Sequence, residues 1–214
     1  MSVQAQLTEP AFDLLAAPYL LYSSLLEGLS PLGLQLSDIR VETGDGTITG
    51  VNVNFWMLDY GVLTRIRVDS IESHCPRLDK VPEDRVAQIF AAAVEAVTRA
   101  SSRVAVANYG TTIAVHGQPQ GLDVGEYLRR YCAEIPQGLG NPVGTGTLFY
   151  FGPERNHIST ALTLDLSAQV KDGLFMRWYT VWETSSVELA NFHRMIRERY
   201  IQVLATLGLE DDAG

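Results

Sequence analysis

The residues of this chain that could carry out acid–base chemistry are two carboxylates close to one arginine. Asp165, Glu183 and Arg177 all fall in strand patterns of the second half of the chain. If a helix covered their face of the sheet, burial would shift the pKa of a carboxylate and make it a candidate acid or base. If the face were open, Arg177 would form an exposed ion pair that contributes little to stability. The first half has a similar ladder of charges, which favours the open face: Arg65, Arg67, Asp69 and Glu72.

The histidines, cysteines, glycines and serines lack the spacing that metal, phosphate or nucleophile chemistry requires. A zinc site would have to be assembled from distant elements, because none of the histidines has ligand spacing: His74, His116, His157 and His193. His74 and Cys75 are adjacent in a strand pattern and should point to opposite faces, which argues against a thiolate–imidazole pair. The glycine-rich segment 138–146 lies between a helix and a strand, the reverse of a phosphate loop, and no serine has GxSxG context. We therefore predict no catalytic residue, no metal site and no cofactor, and favour a protein that is not an enzyme.

The aromatic residues of the second half give the best indication of a binding surface. In the last strand pattern Trp178 and Trp182 alternate onto one face and Tyr179 onto the other, while Tyr150 lies in a neighbouring aromatic strand. A sheet with aromatic residues on both faces is either buried on both or offers one face to a partner or ligand. Burial in the core remains the alternative for part of this set. We predict a partner- or ligand-binding site with these members: Trp178, Trp182, Tyr150, Tyr179 and Arg177.

Hydrophobic periodicity predicts the elements that would position these residues. The predicted helices cover 8–27, 83–101, 122–134 and 186–207. The predicted strands cover 34–42, 47–58, 62–73, 103–116, 145–151, 157–170 and 173–183. Antiparallel hairpins outnumber any β-α-β pattern, so the predicted class is α+β.

The two halves of the chain follow a similar plan. Gly61 and Arg65 of one predicted hairpin match Gly173 and Arg177 of another at the same spacing. The pattern predicts two α-β-β-β-α units, residues 1–102 and 103–214, that form one compact pseudo-twofold protein. Its curved, mainly antiparallel sheet would pack against the two long helices, and the tail 209–214 would be disordered. Independent origin of two similar units is the alternative to duplication.

Composition argues against several classes of partner. The 214 residues carry a formal net charge of −9, so there is no basic footprint for nucleic acid or for an anionic membrane. The apolar segment 12–29 is interrupted by polar residues and proline, so we expect a core helix rather than a membrane span. Two cysteines without CxxC spacing and a start without a signal-peptide pattern favour a cytoplasmic protein.

Two functions fit these patterns. The first is a non-catalytic cytoplasmic binding protein, an adaptor, assembly factor or chaperone-like module, that recognises a protein partner through an aromatic sheet face or a groove between the halves. The alternative is a protein that binds a small apolar ligand between sheet and helices, or acts on it through Asp165, Glu183 or His193. In either case we expect a monomer or a weak homodimer.

Overall fold

The computed structural model describes residues 1–16, 18–43, 50–59, 61–78, 80–131, 146–153 and 157–210. Within these residues the chain forms nine strands and five α-helices, which confirms the α+β class. The strands are β1 (Ser2–Leu7), β2 (Ile39–Thr43), β3 (Val51–Met57), β4 (Val62–Ile66), β5 (Ser70–His74), β6 (Val106–Gly117), β7 (Thr147–Phe151), β8 (His157–Leu166) and β9 (Leu174–Glu183). The helices are α1 (Phe12–Ala16), α2 (Pro18–Leu29), α3 (Glu83–Ala100), α4 (Val124–Arg129) and α5 (Phe192–Leu207).

The strands hydrogen-bond in the order β2-β3-β4-β5-β1-β6-β9-β8-β7 and form an antiparallel open sheet. The described chain divides into two compact units, one of residues 1–111 and 182–199 and one of residues 112–181 and 200–214. These units differ from the predicted halves, because the end of β9 and most of α5 pack with the first unit. None of the described helices is long and apolar enough to cross a lipid bilayer.

The observed elements depart from the predicted ones in one strand that was not predicted and in two elements that are divided. β1 was not predicted, although Val3, Ala5 and Leu7 alternate as buried residues with half-buried polar ones. The stretch predicted as one strand over 62–73 is two strands, because the N–H of Arg67 donates to the C=O of Ser70 at 2.8 Å and reverses the chain. The predicted helix over 8–27 is two helices, with Pro18 at the start of the second, where proline is tolerated.

The first unit packs α3 against α2 and against β1, β4 and β5. Apolar residues of one sheet face form its core, among them Val3, Phe55, Ile66 and Ile71. The strand register places a row of polar residues across the other face: Arg40, Asn54, Arg65, Glu72 and Gln4.

The second unit buries one face of its strands β8 and β9. Leu162, Leu164, Leu174, Met176 and Trp178 are buried there. The hydroxyl of Tyr127 in α4 donates a buried hydrogen bond of 2.9 Å to the C=O of Leu207 at the end of α5, and α5 stops at Gly208, whose φ is 68°. Burial and the neighbouring Tyr131 raise the pKa of the Tyr127 phenol, so it stays a donor at physiological pH.

The two halves of the sequence share an order of elements, but each begins with a strand that the α-β-β-β-α plan did not include. The order is β1, helix, β2 to β5, α3 in the first half and β6, α4, β7 to β9, α5 in the second. The first half orders its strands β2-β3-β4-β5-β1 and the second β7-β8-β9-β6. Internal duplication remains a prediction, because similar orders also arise independently.

Candidate functional site

The register of β7, β8 and β9 brings two predicted site residues into one row. Ala161 of β8 lies opposite Tyr150 of β7. The hydroxyls of Thr160 and Thr180 are 3.1 Å apart, and the N–H of Ser167 donates to the C=O of Gly173 at 2.8 Å. The first contact pairs residue 160 with 180 and the second pairs residue 167 with 173. In this antiparallel register Ala161 also lies opposite Tyr179 of β9. The row is therefore Tyr150, Ala161, Tyr179.

The two tyrosines of this row are exposed and flank a small residue. Tyr150 is 79% exposed and Tyr179 is 36% exposed, while Ala161 between them is half-buried. Strands two positions apart lie about 10 Å apart, so the rings stand on either side of a gap that only a methyl group fills. We call this face of β7, β8 and β9, which carries Tyr150, Ala161 and Tyr179, the open face.

The small residues continue along β8 and turn the gap into a channel. Ser159 and Thr163 precede and follow Ala161 on the open face, and both are half-buried. On the β7 side, exposed Leu148 lies opposite Thr163. We call the gap floored by Ser159, Ala161 and Thr163, and walled by Tyr150 and Tyr179, the tyrosine channel.

Trp178 and Trp182 do not belong to this site. Trp178 is 0% exposed and Trp182 is 3% exposed, because even-numbered residues of β9 point to the buried face. The prediction that placed them on a binding surface with Tyr150 and Tyr179 is therefore corrected: they are core residues. Alternation along the strand had already separated them from Tyr179, but it did not indicate which face is covered.

Arg177 lies on the open face, next to the tyrosine channel. It is exposed and occupies the row of Thr163, one row away from Tyr179. Asp165 is exposed too, and its Oδ1 accepts the backbone N–H of Leu166 at 2.7 Å. Glu183 is also exposed. An acid–base role for Asp165 or Glu183 would require a buried carboxylate, and both side chains are exposed.

The sequence did not predict one pair of side chains on the same face. The ring of His116 in β6 lies 4.8 Å from the ring of Phe175 in β9, centroid to centroid. Nδ1 of His116 lies 2.9 Å from the hydroxyl of Ser167, which accepts the backbone N–H groups of Gln169 and Val170. Ser167 therefore links the His116 side chain to the turn that connects β8 and β9. The signal that could have found this pair is the alternation of β6, in which 112, 114 and 116 share one face.

A second candidate site is a cleft within the second unit, on the buried side of its sheet. Its volume is about 450 Å³, within the range of small-molecule sites. Leu174 and Met176 of β9 and Tyr200 and Leu204 of α5 contribute to its lining. None of Asp165, Glu183 and His193 lines it. The cleft can hold an apolar group but presents no predicted acid or base to it.

The first unit has a pocket of similar size, about 460 Å³, beside exposed Trp56. Arg40, Asp38 and Asp59 also line it. Leu58 and Asp59 have positive φ, 54° and 51°, a conformation that is rare for residues other than glycine. The mixed charges of the lining do not select one ligand chemistry.

The described residues form no metal site and no catalytic centre based on a thiol. No group of three or more His, Cys, Asp or Glu side chains there could hold a metal ion. His74 is exposed and Cys75 buried, as the strand pattern predicted. Cys132, most of the glycine-rich segment 138–146 and the tail beyond 210 lie outside the described residues.

The chain matches no protein-family model, no curated protein and no solved structure.

Proposed function

We propose that this protein is a non-catalytic binding protein of the cytoplasm, an adaptor, assembly factor or chaperone-like module. It recognises an extended segment of a protein partner through the tyrosine channel. The observation that carries this proposal is the row of Tyr150, Ala161 and Tyr179, in which two exposed rings flank a residue with almost no side chain.

The chemistry of the channel favours a polypeptide as the occupant. Tyrosine offers a large apolar ring and a hydroxyl at low entropic cost, and it is enriched at protein interfaces. An extended segment laid along β8 would insert one apolar side chain between the rings and meet the hydroxyls of Ser159 and Thr163 on the floor. Arg177, one row away, would pair with an acidic group of the partner and fix the direction of the segment.

The proposal is tested by photo-crosslinking followed by affinity measurement. A photoreactive amino acid is placed at Tyr179 and, as a control, at Tyr19, an exposed tyrosine of α2 outside the channel. The partner that is cross-linked at Tyr179 and not at Tyr19 is then titrated against variants. Tyr150→Ala and Tyr179→Ala should each weaken binding by about 30-fold, the effect of losing a contact of about 2 kcal/mol, and Tyr19→Ala should not.

One further variant distinguishes insertion of a partner side chain between Tyr150 and Tyr179 from contact with the outer surface of the two rings. Ala161→Tyr keeps both wall residues and fills the space between them, so it should abolish binding while the melting temperature stays near that of the wild type. Full binding by Ala161→Tyr, or equal cross-linking from Tyr179 and Tyr19, would contradict the proposal.

A second candidate function is binding of a small apolar ligand in the cleft between β9 and α5. The apolar part of its lining, Leu174, Met176 and Leu204, favours it, although Gln118, Gln120 and Glu210 also line the cleft. Native mass spectrometry of the purified protein should then show a retained small molecule, and Leu204→Phe should reduce its occupancy. A spectrum with a co-purified chain and no small molecule would favour the tyrosine channel instead.

A further inference from the structure

Asn54 of β3 carries a buried polar atom without a hydrogen-bond partner. Its side chain is 4% exposed, and its Oδ1 accepts no hydrogen bond from the described residues. The register places Arg40 of β2 on one side of Asn54 and Arg65 of β4 on the other. Because buried polar groups are nearly always paired, an unpaired one indicates a partner that the folded chain does not supply.

The two arginines beside Asn54 also lack ion-pair partners. Neither Arg40 nor Arg65 forms an ion pair with another described residue. Glu72 lies opposite Arg65 on β5, but its Oε1 accepts the hydroxyl of Ser2 at 2.6 Å. Two unpaired guanidinium groups therefore flank one buried amide in a chain whose formal net charge is −9. We call Arg40, Asn54 and Arg65 the arginine row.

The arginine row offers donors from three side chains to one anionic group. Each guanidinium presents a planar fork of N–H groups that fits the oxygens of a phosphate or a carboxylate. A half-turn about the last side-chain bond of Asn54 exchanges its amide oxygen and nitrogen, so the buried position can hold an N–H donor. One arginine fork occupies both oxygens of a carboxylate, whereas a phosphate monoester has three terminal oxygens. The row therefore matches phosphate better than carboxylate.

The space beside the arginine row fits a small molecule. Trp56 follows Asn54 on the same face and is 37% exposed. Trp56 and Arg40 both line the pocket of about 460 Å³, a volume that suits a small ligand, and the indole offers a flat apolar surface to a ring. The mixed charges of this pocket select no ligand by themselves, but Asp38 and Asp59 repel a second anionic group. They favour a neutral body next to the phosphate.

We propose that the arginine row binds the phosphate group of a small phosphate monoester, whose neutral body packs against Trp56. The guanidinium groups of Arg40 and Arg65 pair with phosphate oxygens, and the amide N–H of Asn54 donates to a third oxygen. Binding thus supplies the partner that the buried amide lacks. The site lies in the first unit and uses no residue of the tyrosine channel, so it is independent of the function proposed for that channel.

Titration calorimetry of the full chain with phenyl phosphate tests the site. We expect saturable binding, which Arg40→Gln and Arg65→Gln should each weaken by about tenfold or more, because each removes a charge-assisted contact. The matched control is Arg103→Gln, which removes the same charge from an exposed position outside the sheet and should leave the affinity unchanged. Absence of saturable binding, or an equal loss in Arg103→Gln, would overturn the proposal.

Asn54→Asp distinguishes a binding role of this amide from a structural one. The new carboxylate has the size of the amide and pairs with both arginines in place of the phosphate. The variant should therefore lose phenyl phosphate binding, while its melting temperature stays at or above that of the wild type. Undiminished binding, or a lower melting temperature, would refute the placement of the phosphate next to Asn54.

A ligand series tests which chemistry the site selects. Benzoate carries the same ring on a carboxylate, and inorganic phosphate lacks the ring, so both should bind more weakly than phenyl phosphate. Equal affinity for benzoate would contradict selection of phosphate, and equal affinity for inorganic phosphate would contradict the contact with Trp56. A phosphotyrosine peptide that binds more tightly than phenyl phosphate would assign the phosphate to a protein partner and rule out the small molecule.

Discussion

The indole Nε1 of Trp182 donates a buried hydrogen bond of 2.9 Å to Oγ1 of Thr111. Trp178 lies four residues earlier on the same face of β9, and it is also buried. Its Nε1 has no hydrogen-bond partner among the described residues. Both indoles are therefore buried, but the Nε1–H of Trp182 has a hydrogen-bond acceptor, whereas that of Trp178 has none among the described residues.

This difference predicts unequal costs for the same substitution. Trp182→Phe leaves the buried oxygen of Thr111 without its donor, a penalty of about 1–3 kcal/mol, whereas Trp178→Phe removes a donor that has no acceptor. Trp182→Phe should therefore destabilise by about 1 kcal/mol more than Trp178→Phe in urea unfolding. Trp178→Ala, which empties a core position, should cost about 3–5 kcal/mol. Equal losses for the two phenylalanine variants would show that the hydrogen bond to Thr111 contributes nothing.

Gly61 and Gly173 should not tolerate a methyl group. Each donates its N–H to the C=O three residues earlier, that of Leu58 at 2.9 Å and that of Val170 at 3.1 Å. A Cβ on Gly61 would lie 2.6 Å from Cγ2 of Val81, and one on Gly173 would lie 2.8 Å from the C=O of Gly117. Gly61→Ala and Gly173→Ala should each destabilise by about 1–3 kcal/mol, because the neighbours must move.

The control for this prediction is Gly152→Ala, since a Cβ there would meet no atom of the described residues within 4 Å. Its melting temperature should match that of the wild type. If Gly152→Ala lost as much stability as Gly61→Ala and Gly173→Ala, the cost of these substitutions would come from lost backbone freedom and not from close contact of the new methyl group with its neighbours.

His74 should make the protein less stable as the pH falls. Although the His74 side chain lies at the surface, its neighbours shield part of the ring from water; this desolvation, the nearby N-terminal ammonium and Arg65 lower its pKa below 6.5, and only Glu72 opposes them. The unfolded chain therefore binds more protons at this site than the folded chain once the pH falls to about 6.5. Stability from this group is full above pH 6.5 and is lost towards the lower folded pKa.

The measurement is the free energy of unfolding between pH 8 and pH 5 for the wild type and His74→Gln. The wild type should lose more stability over this range than the variant, because glutamine does not titrate. Identical pH dependence of the two proteins would contradict the lowered pKa.

Arg65 and Arg177 should differ in their contribution to stability. Arg177 is exposed, so Arg177→Ala should change stability by less than about 1 kcal/mol. Arg65 is half-buried, and Asn54 and Glu72 lie opposite it on the neighbouring strands. Arg65→Ala should therefore cost more than Arg177→Ala. The reverse order in thermal denaturation would place Arg177 in a buried charge network and revive an enzyme function for the second unit.

The sequence by itself determined the local geometry of this protein. The helical spacing of apolar residues predicted α3 and all of α5, although the predicted last helix began at 186 rather than at Phe192. The period of two separated Trp178 and Trp182 from Tyr179. Both patterns depend on backbone dihedral angles, which set where each side chain points. The strand β1 and the turn at Arg67 escaped prediction, because short elements are decided by their neighbours in space more than by their own residues.

Only the tertiary structure decided which surface is available. Alternation assigns side chains to faces, but packing decides that one face of β9 is covered and the other is exposed. The register of β8 with β7 and β9 places Ala161 between Tyr150 and Tyr179, and the contact of His116 with Phe175 joins β6 to β9. These contacts join residues far apart in the chain, so no local pattern encodes them. The fold class was therefore readable from the sequence, whereas the channel was not.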